Sequence, residues 1–244
     1  MNYKAVLQYD GTRYRGWQTQ GNTDNTIQGK LETLLTKMAG EPVEVNGSGR
    51  TDAGVHAAGQ VISFRCKTKE SPEEICRYMN EYLPEDIAVL TVEEAAPRFH
   101  ARLNAVRKTY VYRIWNAPVK NVFRRRFTTW IQKPLDLDAM EQAATLLCGT
   151  HDYRAFCSLK KFKKSTVRTI EKIEIGKMGQ GIRISYTGDG FLYHMVRILT
   201  GTLVEVGLGL RKPEEMTEIL EGQDRTKAGR LMPPEGLTLE SVEY

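Results

Sequence analysis

The order of strand-like and helix-like segments constrains this chain most, because one order runs through its first third and returns in the rest. Residues 3–9 (YKAVLQY) read as a strand, and residues 26–39 carry Ile27, Leu31, Leu34, Leu35 and Met38 at helical spacing, with Gly40 as a stop. PVEVN at 42–46 and QVISF at 60–64 read as strands. Ser71-Pro72-Glu73-Glu74 predicts a helix start, since a capping box coincides with proline at the first helical position. That helix would bury Ile75, Met79 and Tyr82, and Pro84 would close it; DIAVLTVEEA at 86–95 follows as a strand. The result is β-α-β-β-α-β, the split βαβ order of ferredoxin-like units.

The second part repeats the order with longer connections. KTYVYRIW at 108–115 reads as a strand, and 136–148 as a helix capped by Asp136 and stopped by Gly149. TVRTIEKIEI (166–175) and GIRISYTG (181–188) predict a hairpin. A helix from Phe191 to Val206, a short one near 213–221 and a last strand, LTLESVEY at 237–244, complete the chain. The expected fold is α+β: two ferredoxin-like units, residues 1–104 and 105–244, whose antiparallel sheets join around a central cleft. The repetition is one of element order, with no residue-by-residue repeat.

Composition narrows the function classes. The net charge of +5 on 244 residues is mildly basic, which by itself supports a polyanionic partner only weakly. No apolar stretch is long enough to predict a membrane span. The opening MNYKAVLQYD reads directly as a strand, with no secretory pattern expected. Cys66, Cys76, Cys148 and Cys157 never form a CxxC pair, so they are expected to be plain thiols in a reducing cytoplasm.

The segment most unlike an ordinary connection is NGSGRTDAGVH at 46–56, which is too long for a tight hairpin turn. Its three glycines permit positive φ and close backbone approach. If Arg50–Asp52 is extended, the guanidinium and the carboxylate face one side and Thr51 the other. The order is neither a P-loop nor a dinucleotide fingerprint. Composition alone equally describes a surface loop with a local ion pair.

On strand 108–113, period-two geometry puts Lys108, Tyr110 and Tyr112 on one face. Such a face could stack on a base and meet phosphate, or simply be half-buried sheet. Basic clusters recur: Arg13 and Arg15 around Tyr14, the run Arg124–Arg126, and four lysines around Phe162. Each is individually an ordinary solvated loop; as a set, with aromatics interleaved, they suggest RNA contact. The helix opened by GDGFLYHMVR at 188–197 is apolar on nearly all sides, so Arg197 should be buried and paired, with Asp52 one candidate. His56 and His194 could act in acid–base chemistry but read more naturally as structural residues, and no metal-ligand spacing is present.

GSGRTDAGVHA at 47–57 resembles the signature loop of the TruA family of tRNA pseudouridine synthases. The resemblance extends from Tyr9-Asp10-Gly11-Thr12 through Phe99-His100-Ala101-Arg102, Lys108-Thr109-Tyr110 and His151-Asp152-Tyr153. It continues through Thr166-Val167-Arg168-Thr169, FLYHMVRILTG at 191–201 and Glu235-Gly236-Leu237, so it spans almost the whole chain. It implies the pseudouridine synthase fold, with Asp52 as the catalytic aspartate and Arg50 helping to displace the target base. It further implies Tyr110 stacked on the uracil, Arg197 paired with the aspartate and Leu237 packed at the active site. The family acts on uridines 38, 39 and 40 in the anticodon stem-loop of tRNA. It works as a cytoplasmic homodimer without cofactor or metal. Two other readings of the residues remain open: a non-catalytic RNA-binding module, which would not need Asp52, and a nucleosidase, which would free uracil.

Overall fold

The computed structural model describes all 244 residues. The chain begins with β1 (Asn2–Tyr9), α1 (Ile27–Ala39), β2 (Val45–Gly47), β3 (His56–Arg65), α2 (Pro72–Tyr82) and β4 (Ile87–Glu94). It continues with β5 (Arg107–Asn116), β6 (Thr129–Ile131), α3 (Leu137–Leu146), β7 (Gly149–Asp152), β8 (Val167–Met178) and β9 (Gly181–Gly188). Helices α4 (Met195–Gly207) and α5 (Glu215–Gly222) and strand β10 (Leu237–Glu243) complete it. The class is α+β, with mostly antiparallel strands. Two compact units result: Met1–Val106 with Thr238–Tyr244, and Arg107–Leu237. No helix is long and apolar enough to cross a membrane, and the four cysteines are free thiols.

In the first unit, β1 lies between β4 and β3, antiparallel to both. Tyr3, Ala5, Leu7 and Tyr9 alternate inward along β1, the period-two pattern of a strand with one buried face. Helix α1 buries Ile27, Leu31, Leu34 and Leu35. Each such side chain contributes about 1.5–3 kcal/mol when fully buried. Thr26 caps α1 by accepting the Gly29 N–H at 3.2 Å, and Gly40 ends it at φ +70°. Helix α2 has both halves of the capping box read from Ser71 and Glu74, and it buries Ile75 and Met79 but leaves Tyr82, expected inside, exposed in its last turn.

The edge of β3 away from β1 carries two partners. Strand β2 pairs antiparallel with Ile62–Phe64, and β10 runs parallel alongside His56 and Ala57. The linear reading put the last strand in the second unit; through this pairing Thr238–Tyr244 is part of the first. Pairing between distant segments leaves no local mark on composition.

In the second unit the strands run β5-β9-β8-β7, all antiparallel, with β6 parallel to β5. Asp136 caps α3 as expected, accepting the Ala139 N–H at 3.0 Å. Helix α4 is buried on nearly every side and is fastened to β9 by the Tyr186 hydroxyl, 2.8 Å from Thr200 Oγ1. It begins at Met195 rather than Phe191, because His194 adopts a left-handed conformation (φ +66°) that interrupts any helix. Strands β6 and β7, of three and four residues, are too short for periodicity to reveal.

Candidate active site

In the first unit the loop Ser48–Val55 joins β2 to β3, and buried polar groups hold it from below. Thr51 is buried, Asp52 half-buried and Arg50 exposed, the alternation expected of an extended Arg50–Asp52 segment. Thr51 Oγ1 lies 2.8 Å from the Tyr9 hydroxyl. Gln60, fully buried, accepts from Ser48 Oγ at 2.7 Å and donates to the Gly49 carbonyl at 3.0 Å. Its amide also reaches the Tyr9 hydroxyl at 3.4 Å. Desolvation pushes the Tyr9 phenol up to about 12, so the hydroxyl stays neutral and available for these bonds.

The segment Asp10–Trp17 clamps the loop from the side. Trp17 N–H donates to the Thr51 carbonyl at 3.0 Å, and Gly11 N–H donates to His56 Nδ1 at 3.0 Å. A Cβ at Gly16 (φ +95°) would lie 2.9 Å from the Thr51 carbonyl oxygen, and one at Gly47 would lie 2.5 Å from the Trp17 ring. Both glycines therefore allow an approach that other residues would block. Past Asp52 the chain turns, with Val55 N–H on the Asp52 carbonyl at 3.1 Å and Gly54 at φ +79°. Asp52 thus sits at the crest of a loop whose base is determined on every side. His56 is buried under this loop, and its Nδ1 also lies 3.2 Å from Asp10 Oδ1.

In the second unit Tyr110 lies on β5 opposite Tyr186 of β9. Its ring is 8% exposed and meets Phe191 edge-on, with centroids 5.3 Å apart. Tyr112, fully buried, is a core residue: its hydroxyl is 2.6 Å from Thr129 Oγ1 and donates to the Pro233 carbonyl at 2.7 Å. Arg197 is buried in the first turn of α4, where its Nε donates to the Met232 carbonyl at 2.7 Å. The segment after α5 runs close along α4: a Cβ at Gly201 would lie 1.9 Å from the Arg230 carbonyl oxygen, and Gly229 N–H donates to Thr202 Oγ1 at 2.9 Å. The same segment leads over the Tyr112 ring at Gly236 to Leu237, which is buried. Arg197 and Leu237 are thereby held by one strand of backbone, fixed at Met232 and Pro233.

The two units thus carry the expected residues as two sets: Arg50 and Asp52 in the first, Tyr110, Arg197 and Leu237 in the second. Of the basic clusters, that of Arg13 and Tyr14 is engaged within the first unit. The Arg13 guanidinium forks onto Asp86 Oδ2 at 3.0 and 2.8 Å, and Tyr14 is buried with its hydroxyl on the same carboxylate. They anchor the clamp segment. Sequence reasoning missed Trp17 and Gln60; a glutamine at the head of the apolar run QVISF was the available signal for the latter. No three His, Cys, Asp or Glu side chains gather as a metal-holding group.

The family model described as tRNA pseudouridine synthase matches residues 5–104 and 143–244. The chain is 48% identical over 243 residues to tRNA pseudouridine synthase A of Bacillus sp. (strain KSM-64), covering 100% of this chain and 99% of the relative. It is 44% identical to tRNA pseudouridine synthase A 2 of Bacillus anthracis, with the same coverage. It is 46% identical to tRNA pseudouridine synthase A of Brevibacillus brevis, covering 99% of this chain and 98% of that one. With its α+β architecture, its Asp52 loop and these relatives along its whole length, the chain belongs to the tRNA pseudouridine synthase family, isomerases that convert uridine to pseudouridine.

Proposed function

We propose that this protein converts uridines 38, 39 and 40 of the tRNA anticodon stem-loop to pseudouridine, as a cytoplasmic homodimer, with Asp52 as the catalytic carboxylate. The observation that carries the reading is the Asp52 loop: a carboxylate at the crest of a segment locked by Tyr9, Gln60 and Trp17. Preorganisation of this kind is what a reacting group needs, since misplacement by an ångström is costly in rate.

The reaction breaks the C1′–N1 bond, turns the uracil and joins its C5 to C1′. The C5 proton leaves to solvent and N1 regains one, so product and substrate are isomers. No electron is gained or lost, and the chemistry calls for no cofactor. Asp52 serves either by attacking C1′ or by taking the C2′ proton to give a glycal; both routes need the same ionised group. Uracil departs as a stabilised anion and stays bound, so a second carboxylate of the glycosidase kind is unnecessary. A stem uridine is reached by flipping it out, at a cost of about a few kcal/mol. In this reading Arg50 takes part in displacing the base, and Tyr110, with its ring orientation set by Phe191, stacks on the uracil. Arg197 offsets the charge of Asp52 and Leu237 closes the apolar side.

Mapping of pseudouridine by carbodiimide-dependent primer-extension stops, on unmodified tRNA transcripts incubated with the protein, tests the assignment. Stops that report pseudouridine at 38, 39 or 40 are expected. Modification confined to other positions, or free uracil in the medium, would contradict it.

A further inference from the structure

The connection between β5 and β6 is ordered in a way the reaction does not require. Each end is pinned by a tryptophan: Trp130 Nε1 donates to the Ala117 carbonyl at 2.8 Å, and Trp115 Nε1 to the Val119 carbonyl at 2.9 Å. At the tip, Asn121 Oδ1 accepts the N–H groups of Phe123 and Arg124 at 3.1 and 3.2 Å. Phe127 N–H closes a further turn on the Arg124 carbonyl at 2.9 Å. The Arg125 guanidinium donates to the Val122 carbonyl at 2.7 Å, stiffening that side chain as well.

This well-tied loop holds Phe123 at 94% exposure, the most exposed large apolar side chain in the protein. Val119, Val122 and Phe127 of the same loop are exposed as well, and apolar side chains gathered on one exposed segment mark a surface for a partner. Its surroundings define that face. From Arg107 to Leu135 the chain contains eight Lys or Arg and no Asp or Glu. Lys120 and Arg124 already lie over the Trp130 and Trp115 rings, at 4.9 and 5.9 Å from the centroids.

We infer that the loop Ala117–Thr128 is a second RNA-docking platform, on which Phe123 stacks against an unpaired or stem-end base while Arg124 and Arg125 meet flanking phosphates. The inference rests on the tRNA reading above and adds a contact remote in sequence from the Asp52 loop. Polyanion and base face together match the two properties of the tip, since stacking is sequence-tolerant and phosphate supplies the charge. A second copy of this chain matches poorly, because at a net charge of +5 it offers the arginine run no opposite charge overall. Because the loop is ordered beforehand, little ordering cost opposes binding.

The test compares wild type with Phe123→Ala, Phe123→Trp and Arg125→Gln, measuring tRNA binding by filter retention, steady-state kinetics and sedimentation. Phe123→Ala should weaken tRNA binding and raise KM about tenfold, with a smaller effect on kcat, and Phe123→Trp should restore both. Arg125→Gln should lower the slope of log affinity against log salt by about 0.7–0.9. Wild-type binding by Phe123→Ala would overturn the platform. So would weakened binding that tracks a change in sedimentation, which would assign the ring to self-association. If wild type fails to isomerise tRNA, the functional reading falls, while direct binding still decides the platform separately.

Discussion

The loop Ser48–Val55 turns its polar atoms inward and keeps one carboxylate at its crest, whereas the loop Ala117–Thr128 spends its polar atoms on its own turns and leaves a phenyl ring outside. The first is held by buried partners from β1, β3 and the Asp10–Trp17 segment. The second is held by tryptophan N–H groups and an asparagine that stay largely at the surface. Buried polar bonds are costly to lose, because a severed partner stays desolvated; surface bonds are readily replaced by water. A loop that positions a reacting atom needs the former, and a loop that only presents a contact face can use the latter.

The comparison can be broken most severely at Gly47. Gly47→Ala drives a Cβ into the Trp17 ring and should move the loop from its clamp. Activity should fall by about two orders of magnitude, the scale expected for misplacement of a reacting group. Retained kcat would mean that the clamp does not position Asp52. Next in size is Tyr9→Phe, which takes the hydroxyl partner from Thr51 Oγ1 and one of two acceptors from the Gln60 amide, and should cost about 1–3 kcal/mol in denaturant unfolding. Alkaline pH sharpens this result. The folded phenol is raised from 10.0 to about 12, so the folded state retains a proton that the unfolded chain releases. Its contribution is complete below pH 10 and is lost as pH rises to about 12. The gap between wild type and Tyr9→Phe should therefore shrink across that window; a gap that widens would reverse the assignment. The smallest effect is expected in the other loop. Trp115→Phe removes an exposed hydrogen bond and should change stability by about 0.5 kcal/mol or less. A loss as large as that of Tyr9→Phe would erase the distinction between the loops.

Much of this was legible in the chain. The capping box at Ser71 and the cap at Asp136 work through contacts a few residues away, so local pattern suffices to find them. The alternation of Arg50, Thr51 and Asp52 followed from strand geometry. What escaped depended on distant partners or on single dihedrals. The membership of β10 in the first unit follows from its parallel pairing with β3, across nearly the length of the chain. The late start of α4 comes from one left-handed residue, His194, whose type does not announce it. Tyr112 looked interchangeable with Tyr110, and only the Pro233 carbonyl and Thr129 reveal it as core. The Tyr9–Thr51–Gln60 network joins three segments that no spacing rule connects.

The catalytic claim is tested most directly by Asp52→Asn, an isosteric change, assayed by tritium release from tRNA carrying 5-tritiated uridine. With tRNA binding and thermal unfolding unchanged, the variant is predicted to release no tritium above background. Release at the wild-type rate would contradict the assignment of this carboxylate.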